Sequence, residues 1–275
     1  MIDLMTEMVS YPFMVRALVA GILISLCASV LGVTLVLKRY SMIGDGLSHV
    51  GFGALAIAAA LNMAPLAVAI PIVIAAAIIL LRLTESSKIK GDAAIAVFST
   101  GALAIGVTIV SLTTGMNADL YSYMFGSILA MSMSDVVLSV VLSILVLILY
   151  VFLYEKIFAV TFDETFARAT GTKTGFYNMA IAVLTAVTVV LGMKMMGAML
   201  ISSLIIFPGL TAMRICKSFK SVIFCAVAVS VISFVIGITV SYVYATPAGA
   251  SIVIVDIILF ALFSIAGWIR SGFKR

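Results

Sequence analysis

Charged residues are scarce in this sequence of 275 residues: they make up 10% of it, whereas 64% is hydrophobic and the mean hydropathy is +1.34. A soluble domain carries about 25% charged residues. The composition therefore excludes a globular enzyme held by a single anchor and predicts a polytopic membrane protein. The formal net charge of +5 does not indicate a nucleic-acid partner, because the position of the basic residues decides what the charge does.

Catalytic and redox motifs are missing as well. The chain contains no GxxxxGK[ST] phosphate-binding loop, no HExxH and no GxSxG. Its three cysteines lie in or beside apolar segments without a CxxC pair, which is typical of small packing residues. We therefore expect neither enzyme activity nor a permanently bound cofactor in this chain, so any ATP hydrolysis must come from a separate subunit.

Long apolar runs dominate what is present. A membrane-spanning helix needs about 20 residues, and most of the runs reach this length, although the third, sixth and seventh are short. We predict an all-α membrane protein, a polytopic bundle of about eight to nine transmembrane helices that forms a single domain over residues 1–275. The nine segments are 13–37, 44–61, 64–81, 93–113, 136–154, 177–193, 197–213, 221–244 and 250–268.

The basic residues are distributed asymmetrically between the connections. Lys and Arg are enriched in cytoplasmic loops, and 14 of the 16 fall on one side of the nine-segment arrangement, with only Arg16 and Lys194 on the other. This pattern predicts the N-terminus outside, the C-terminus in the cytoplasm, and cytoplasmic loops at 82–92 and 155–176. The outer side is then mildly acidic, since it carries Asp3, Glu7, Asp119 and Asp135.

Residues 44–51 (GDGLSHVG) hold the strongest candidate site. Asp45 and His49 are four residues apart, so on a helix they share one face and can bind one divalent transition-metal ion together. The alternative is that Asp45 caps the helix N-terminus and that His49, the only histidine, is a paired core residue. Counted from Gly44, His49 lies about 7.5 Å into its helix, which predicts a site in the cytoplasmic half of the membrane unless the helix begins earlier.

Ionisable residues inside membrane segments are costly and are functional candidates by default. Only Asp45, His49 and Asp256 occupy such positions, and the adjacency of the first two favours the metal site. Asp256 stands alone in sequence, so it is a weaker candidate for the pore or for a hydrogen bond between helices.

The segment 197–213 combines polar residues with a helix breaker. Pro208 cannot donate to the carbonyl of Leu204 and Gly209 follows it, so we expect a kink or break there. Ser202 and Ser203 either face an aqueous path or bond back to their own helix. The methionines at 193–199 are a soft-metal ladder or, more simply, flexible apolar filling.

Two further short helices are expected outside the spans. Segment 119–135 is too short to cross a membrane and is rich in aromatic residues, which predicts an outer interfacial helix or re-entrant piece that forms part of a gate or only packs there. Around 162–171, Thr161 and Glu164 have the spacing of a capping box and Gly171 suits the C′ position. The apolar face of this expected helix carries Phe162, Phe166 and Ala169 and fits either a membrane surface or a groove on a cytosolic partner.

Four stretches resemble the membrane permease subunits of bacterial ABC importers for zinc and manganese. They are residues 37–49 (LKRYSMIGDGLSH), 91–99 (GDAAIAVFS), 162–171 (FDETFARATG) and 197–208 (GAMLISSLIIFP). They occur in the family order, and the resemblance covers essentially the whole chain. One departure is Gly46, where the family more often has Ala. Residues 121–129 (YSYMFGSIL) are closer to the zinc-type members.

The resemblance implies a permease that does no chemistry itself and carries Zn²⁺ or Mn²⁺ past Asp45 and His49. It also implies a homodimer, two cytosolic ATPase subunits and an extracytoplasmic metal-binding lipoprotein. The coupling helix would be 162–171, whose contact candidates are Phe162, Asp163, Glu164, Phe166, Ala169 and Gly171. The alternative is a self-sufficient secondary transporter or channel. Pore or gate candidates in either case are Ser202, Ser203, Pro208 and Asp256.

Overall fold

A computed structural model of the chain describes residues 8, 10–85, 91–113, 126 and 132–272, and these residues form helices and connections without any strand. The predicted all-α fold class is therefore confirmed. In chain order the helices are α1 (Pro12–Leu37), α2 (Ser41–Ala60), α3 (Pro65–Glu85), α4 (Gly91–Leu112), α5 (Met133–Phe162), α6 (Glu164–Ala169), α7 (Thr174–Met196), α8 (Ala198–Met213), α9 (Phe219–Tyr244) and α10 (Ala248–Gly272).

Eight of the described helices have the length and hydropathy of a membrane span. Of the three segments that are short in the sequence, 64–81 and 177–193 belong to longer helices, α3 and α7. The third, 197–213, corresponds to α8, which has only 16 residues. At 1.5 Å per residue α8 is about 24 Å long, and the hydrocarbon core of a bilayer is about 30 Å thick. This helix is thus the one pass shorter than the membrane.

Contacts between distant helices define the two ends of the bundle. Lys194 near the end of α7 pairs with Asp135 near the start of α5 (Nζ to Oδ2, 2.7 Å). At the opposite end, the ring of Phe219 at the start of α9 lies 5.1 Å from that of Phe158 near the end of α5. Since α8 leads from the first end to the second, the helices that the structure describes pass along the bundle nine times.

The centre of the bundle consists of α1, α2 and α7, which are buried along most of their length, whereas α4 and α10 leave most of theirs exposed. Close approach between helices depends on glycine. A Cβ atom on Gly32 of α1 would lie 1.9 Å from the carbonyl oxygen of Ile205, so α8 packs directly on the backbone of α1. Small residues at such crossings allow the van der Waals packing that holds membrane helices together.

The helix break expected at Pro208 lies elsewhere. Helix α8 runs through Pro208, and the chain leaves the helical conformation at Gly197 instead, with φ 89° and ψ 159°. Glycine adopts this positive φ without steric cost, so the bend between α7 and α8 falls at the residue that tolerates it. Pro208 is buried within the continuous helix.

The predicted capping box at Thr161 and Glu164 is wrong. Thr161 belongs to the last turn of α5, and its hydroxyl donates to the carbonyl of Ile157 at 2.6 Å. Asp163 is the N-cap of α6, because its side chain accepts from the backbone N–H of Phe166 at 2.8 Å. Gly171 does take the predicted C′ position: its φ is 83°, and the bonds Gly171 N–H to Arg168 O and Thr172 N–H to Ala167 O close the helix.

The interfacial helix expected over 119–135 lies outside the described residues, apart from Gly126 and the start of α5. There Ser132 caps α5, accepting from the backbone N–H of Asp135 at 3.2 Å. The expected outer carboxylates Asp3, Glu7 and Asp119 also lie outside the described part, whereas Asp135 is paired with Lys194.

Candidate functional site

Asp45 and His49 lie on α2, well inside the helix. The helix begins at Ser41 with Tyr40 as its N-cap, so the alternative in which Asp45 caps the helix is wrong. His49 is the ninth of the 20 residues, about 12 Å from the start, because the helix begins three residues before Gly44. The pair is therefore close to the middle of α2 and deeper than the count from Gly44 predicted.

The two side chains face each other along one side of α2. The Nε2 atom of His49 lies 3.7 Å from Oδ2 of Asp45, and their side chains are 27% and 39% exposed. The other carboxylate oxygen, Oδ1, lies 3.1 Å from the hydroxyl of Ser202 on α8, which can donate to it or to the carbonyl of Ala198. Ser202 thus orients the carboxylate so that one oxygen remains directed at His49.

A cavity of about 150 Å³ opens at this pair. Its wall comes from three helices, α2, α4 and α8, so the site exists only when α8 packs beside α2. Most of the wall other than the pair itself is apolar. The lining residues are Asp45, Ser48, His49, Phe52, Leu103, Ala198 and Met199.

Sequence reasoning did not assign Met199 to the site. Met199 lines the cavity and is half exposed, whereas Met193, Met195 and Met196 are buried in the core. The methionine run is therefore mainly core filling, as in the simpler interpretation, with one member at the site. A signal was present in the sequence: Met199 is three residues before Ser202, which places both on one face of a helix.

The pair provides an incomplete set of ligands for a transition metal. Zinc bound tetrahedrally at about 2.1 Å from each atom would hold the nitrogen and the oxygen about 3.4 Å apart, close to the observed 3.7 Å. No group of three or more His, Cys, Asp or Glu side chains suited to a metal occurs among the residues the structure describes. One chain therefore offers two ligands where zinc takes four.

The helical bundle and the mid-helix Asp45–His49 pair can now be compared with known proteins. The sequence profile of the ABC 3 transport family matches residues 10–267. This chain belongs to the ABC 3 transport family. The resemblance stated from the four sequence stretches is thereby confirmed.

Individual relatives of this ABC 3 family member agree over nearly its full length. The zinc uptake membrane protein ZnuB of Haemophilus influenzae is 29% identical over 90% of this chain and 94% of its own length. The manganese import permease ScaB of Streptococcus gordonii is 30% identical over 91% and 90%. Among solved structures, PsaBC from Streptococcus pneumoniae in complex with Fab superposes with a TM-score of 0.86 at 28% identity, covering 96% of this chain and 95% of that one.

The remaining pore candidates separate from this site. Ser203 turns away from Ser202 and donates to Oδ2 of Asp256 at 2.9 Å, and the Asp256 side chain is fully buried. Its other oxygen has no hydrogen-bond partner in the described structure. Ser233 of α9 also interacts with this carboxylate. Asp256 therefore joins α8 to α10 and lies outside the cavity of Asp45 and His49.

The residues expected in the coupling helix form an elbow rather than one helix. Phe162 ends α5, and Asp163 leaves the helical conformation before α6 begins. Phe162 and Phe166 are 58% and 66% exposed, and Ala169 and Gly171 are exposed too. Glu164, by contrast, turns inward to Lys38 and Asn178. The elbow thus presents two phenylalanines outward and holds one carboxylate inward.

Proposed function

We propose that this chain is the membrane permease subunit of an ATP-driven importer for a divalent transition-metal ion. The observation that carries the proposal is that Asp45 and His49 face one cavity near the middle of a membrane helix. A carboxylate and an imidazole at this depth are costly unless they serve a function. Membership of a family whose relatives are named as zinc and manganese import permeases supports the same reading.

Two copies of the chain would complete the ligand set. A two-fold axis beside the cavity would bring two Asp45 and two His49 side chains together, giving the four ligands zinc prefers and neutralising its charge. Transport also requires that the ion leave as easily as it enters. A site assembled from halves meets this requirement, because small shifts between the copies form it and open it.

Zinc is the ion we propose, with manganese second. An imidazole and carboxylate set suits zinc, and divalent-metal affinity at such sites is higher for zinc than for manganese. The relatives named above include one importer of each ion.

The chain would work with two cytosolic ATPase subunits and an extracytoplasmic metal-binding lipoprotein, in the bacterial plasma membrane. The described basic connections α1–α2, α5–α7 and α8–α9 lie at one end of the bundle. We assign this end to the cytoplasm, with the N-terminus outside and the C-terminus inside. The outward phenylalanines of the elbow at 162–171 would dock on the ATPase.

The test is metal uptake by the reconstituted permease with and without its ATPase. Uptake of radiolabelled zinc that requires ATP is the expected result, and uptake without ATPase or ATP would favour the secondary transporter instead. Deletion of the gene should cause a growth defect that added zinc corrects. If only manganese restores growth, manganese rather than zinc is the transported ion, and the proposed role as a permease is unaffected.

A further inference from the structure

Lys38 is a buried charge at the corner between α1 and α2. Its side chain is only 7% exposed, and its ammonium lies 3.6 Å from Oε2 of Glu164 on α6. The same ammonium donates to the carbonyl of Val160 on α5 at 3.4 Å and to the side-chain oxygen of Asn178 on α7. One lysine therefore contacts the ends of three other helices.

Glu164, the acidic partner of Lys38, interacts with three side chains. Its carboxylate receives the Asn178 side-chain N–H₂ at 3.3 Å and the guanidinium of Arg168 at 3.2 Å in addition to Lys38. Helix α6 has six residues, of which only Ala167 is buried. A helix this short has little stability of its own, so its position depends on what holds Glu164.

The neighbour of Lys38 makes no comparable contact. Arg39 is exposed and adopts a positive φ of 61°, and no carboxylate of the described residues lies within ion-pair distance of it. Arg39 is therefore a surface charge of the kind that is enriched in cytoplasmic loops. The inward position of Lys38 is not explained by that enrichment.

We propose that Lys38 is a positioning residue that joins the elbow at 162–171 to the helix carrying the metal pair. Three residues after Lys38 the chain enters α2, which is continuous through Asp45 and His49. A displacement of α6 therefore pulls on the start of the helix that forms the site. Glu164 on the elbow and Lys38 at the corner make this connection, and Asn178 ties both to α7.

The inference rests on the proposed import function and adds how ATPase movement would reach the site. Coupling between two sites requires a structural element with two arrangements, and both sites must shift the equilibrium between them. Lys38 suits this role, because its side chain is almost fully buried and removal of its charge or of the Glu164 charge breaks the direct ion pair between the α1–α2 corner and α6.

The experiment uses the full importer in proteoliposomes and measures zinc transported per ATP hydrolysed. Lys38→Met should keep the ATPase subunits bound and hydrolysis running while this ratio falls about tenfold. Glu164→Gln should reduce it similarly, and the double variant should lose no more than either single one, since both break the same contact. Lys38→Arg keeps the charge and should retain most of the ratio.

Matched controls are Arg39→Gln and Glu155→Gln. The first removes a positive charge from the α1–α2 turn and the second a negative charge from the exposed surface of α5, and neither residue takes part in the Lys38–Glu164 ion pair. Additive losses in the double variant, or a wild-type ratio in Lys38→Met, would overturn the inference. Loss of ATPase binding in Glu164→Gln would assign the residue to docking and would overturn it too. Failure of the wild-type chain to show ATP-dependent uptake would instead remove the proposed function.

Discussion

At the scale of single residues, the carboxylate of Asp45 has different neighbours at its two oxygens. Oδ1 is next to Ser202 and Oδ2 faces His49, so one oxygen is held while the other remains available. Partners behind a ligand orient it, and their removal typically reduces metal affinity about 10–100-fold. The cavity thus combines the Asp45–His49 pair with a neighbouring hydroxyl from a second helix.

Replacing either ligand should abolish transport. Asp45→Ala and His49→Ala each halve the ligands one chain contributes, and zinc needs about four. We expect ATP-dependent zinc uptake to fall to background, measured in proteoliposomes, with ATPase binding unchanged.

Met42→Ala is the control and should transport normally, because Met42 is exposed on the same face of α2 but does not line the cavity of the pair. Uptake at the wild-type rate in both Asp45→Ala and His49→Ala would show that the ion takes another path.

At the scale of elements, the short helices α6 and α8 have the most specific positions. Helix α6 is fixed by its cap at Asp163 and by Glu164, and it presents Phe166 to solvent. Helix α8 has a small-residue contact with α1 and bends from α7 at Gly197. Each is shorter than a span, and each packs against at least two of the longer helices.

Phe166→Ala tests the elbow as a docking surface. Burying an aromatic side chain in a partner contributes about 2 kcal/mol, so this variant should lose co-purification of the ATPase or ATP-driven uptake while still inserting in the membrane.

Phe152→Ala is the comparison, because Phe152 is at least as exposed as Phe166 (84% against 66%) but lies on a membrane span. Normal assembly and uptake in Phe166→Ala would indicate a connecting loop without a docking role.

Gly32→Ala tests the contact between α1 and α8. A methyl group would lie 1.9 Å from the Ile205 carbonyl oxygen, which is backbone and cannot rotate away. Overpacking of this kind lowers the free energy of unfolding by about 1–3 kcal/mol, so thermal inactivation in detergent should occur at a lower temperature.

Gly101→Ala on α4 has open space around the added carbon and should leave the inactivation temperature unchanged. Equal temperatures for both variants would contradict direct backbone packing of α8 on α1.

For the molecule as a whole, the nine passes that the structure describes place the start of α1 and the end of α10 at opposite ends of the bundle. Lys38 contacts the α5–α7 elbow, and the rings of Phe158 and Phe219 bring the start of α9 beside the end of α5, so the described basic connections α1–α2, α5–α7 and α8–α9 lie at one end. This agrees with the alternation of Lys and Arg in the sequence.

Cysteine labelling tests the orientation in intact cells. In a background with the three native cysteines replaced by alanine, an impermeant reagent should modify Met63→Cys, in the α2–α3 connection, and should spare Lys217→Cys, in the α8–α9 connection. Both positions are exposed. The reverse pattern would invert the topology.

The fold class, the apolar segments and the proximity of Asp45 to His49 can be predicted from sequence alone. Span length and hydropathy are local properties, so they are readable without any contact. The Asp45–His49 pair is also local, since i and i+4 share a helix face whatever surrounds them. The order of capping residues at 161–164 was misjudged, because both Thr161 and Asp163 can cap a helix and only the backbone decides which one does.

The partners of these residues become visible only once the helices are packed together. Ser202 is 157 positions from Asp45 and meets it because α8 packs beside α2. Adjacent serines of α8 reach different carboxylates, Asp45 and Asp256, since neighbouring residues of a helix point in different directions. From the sequence, Lys38 resembles the other basic residues predicted for cytoplasmic loops. Its burial against Glu164 depends on the packing of the elbow on the α1–α2 corner. Such pairings depend on how helices cross, which no local pattern encodes.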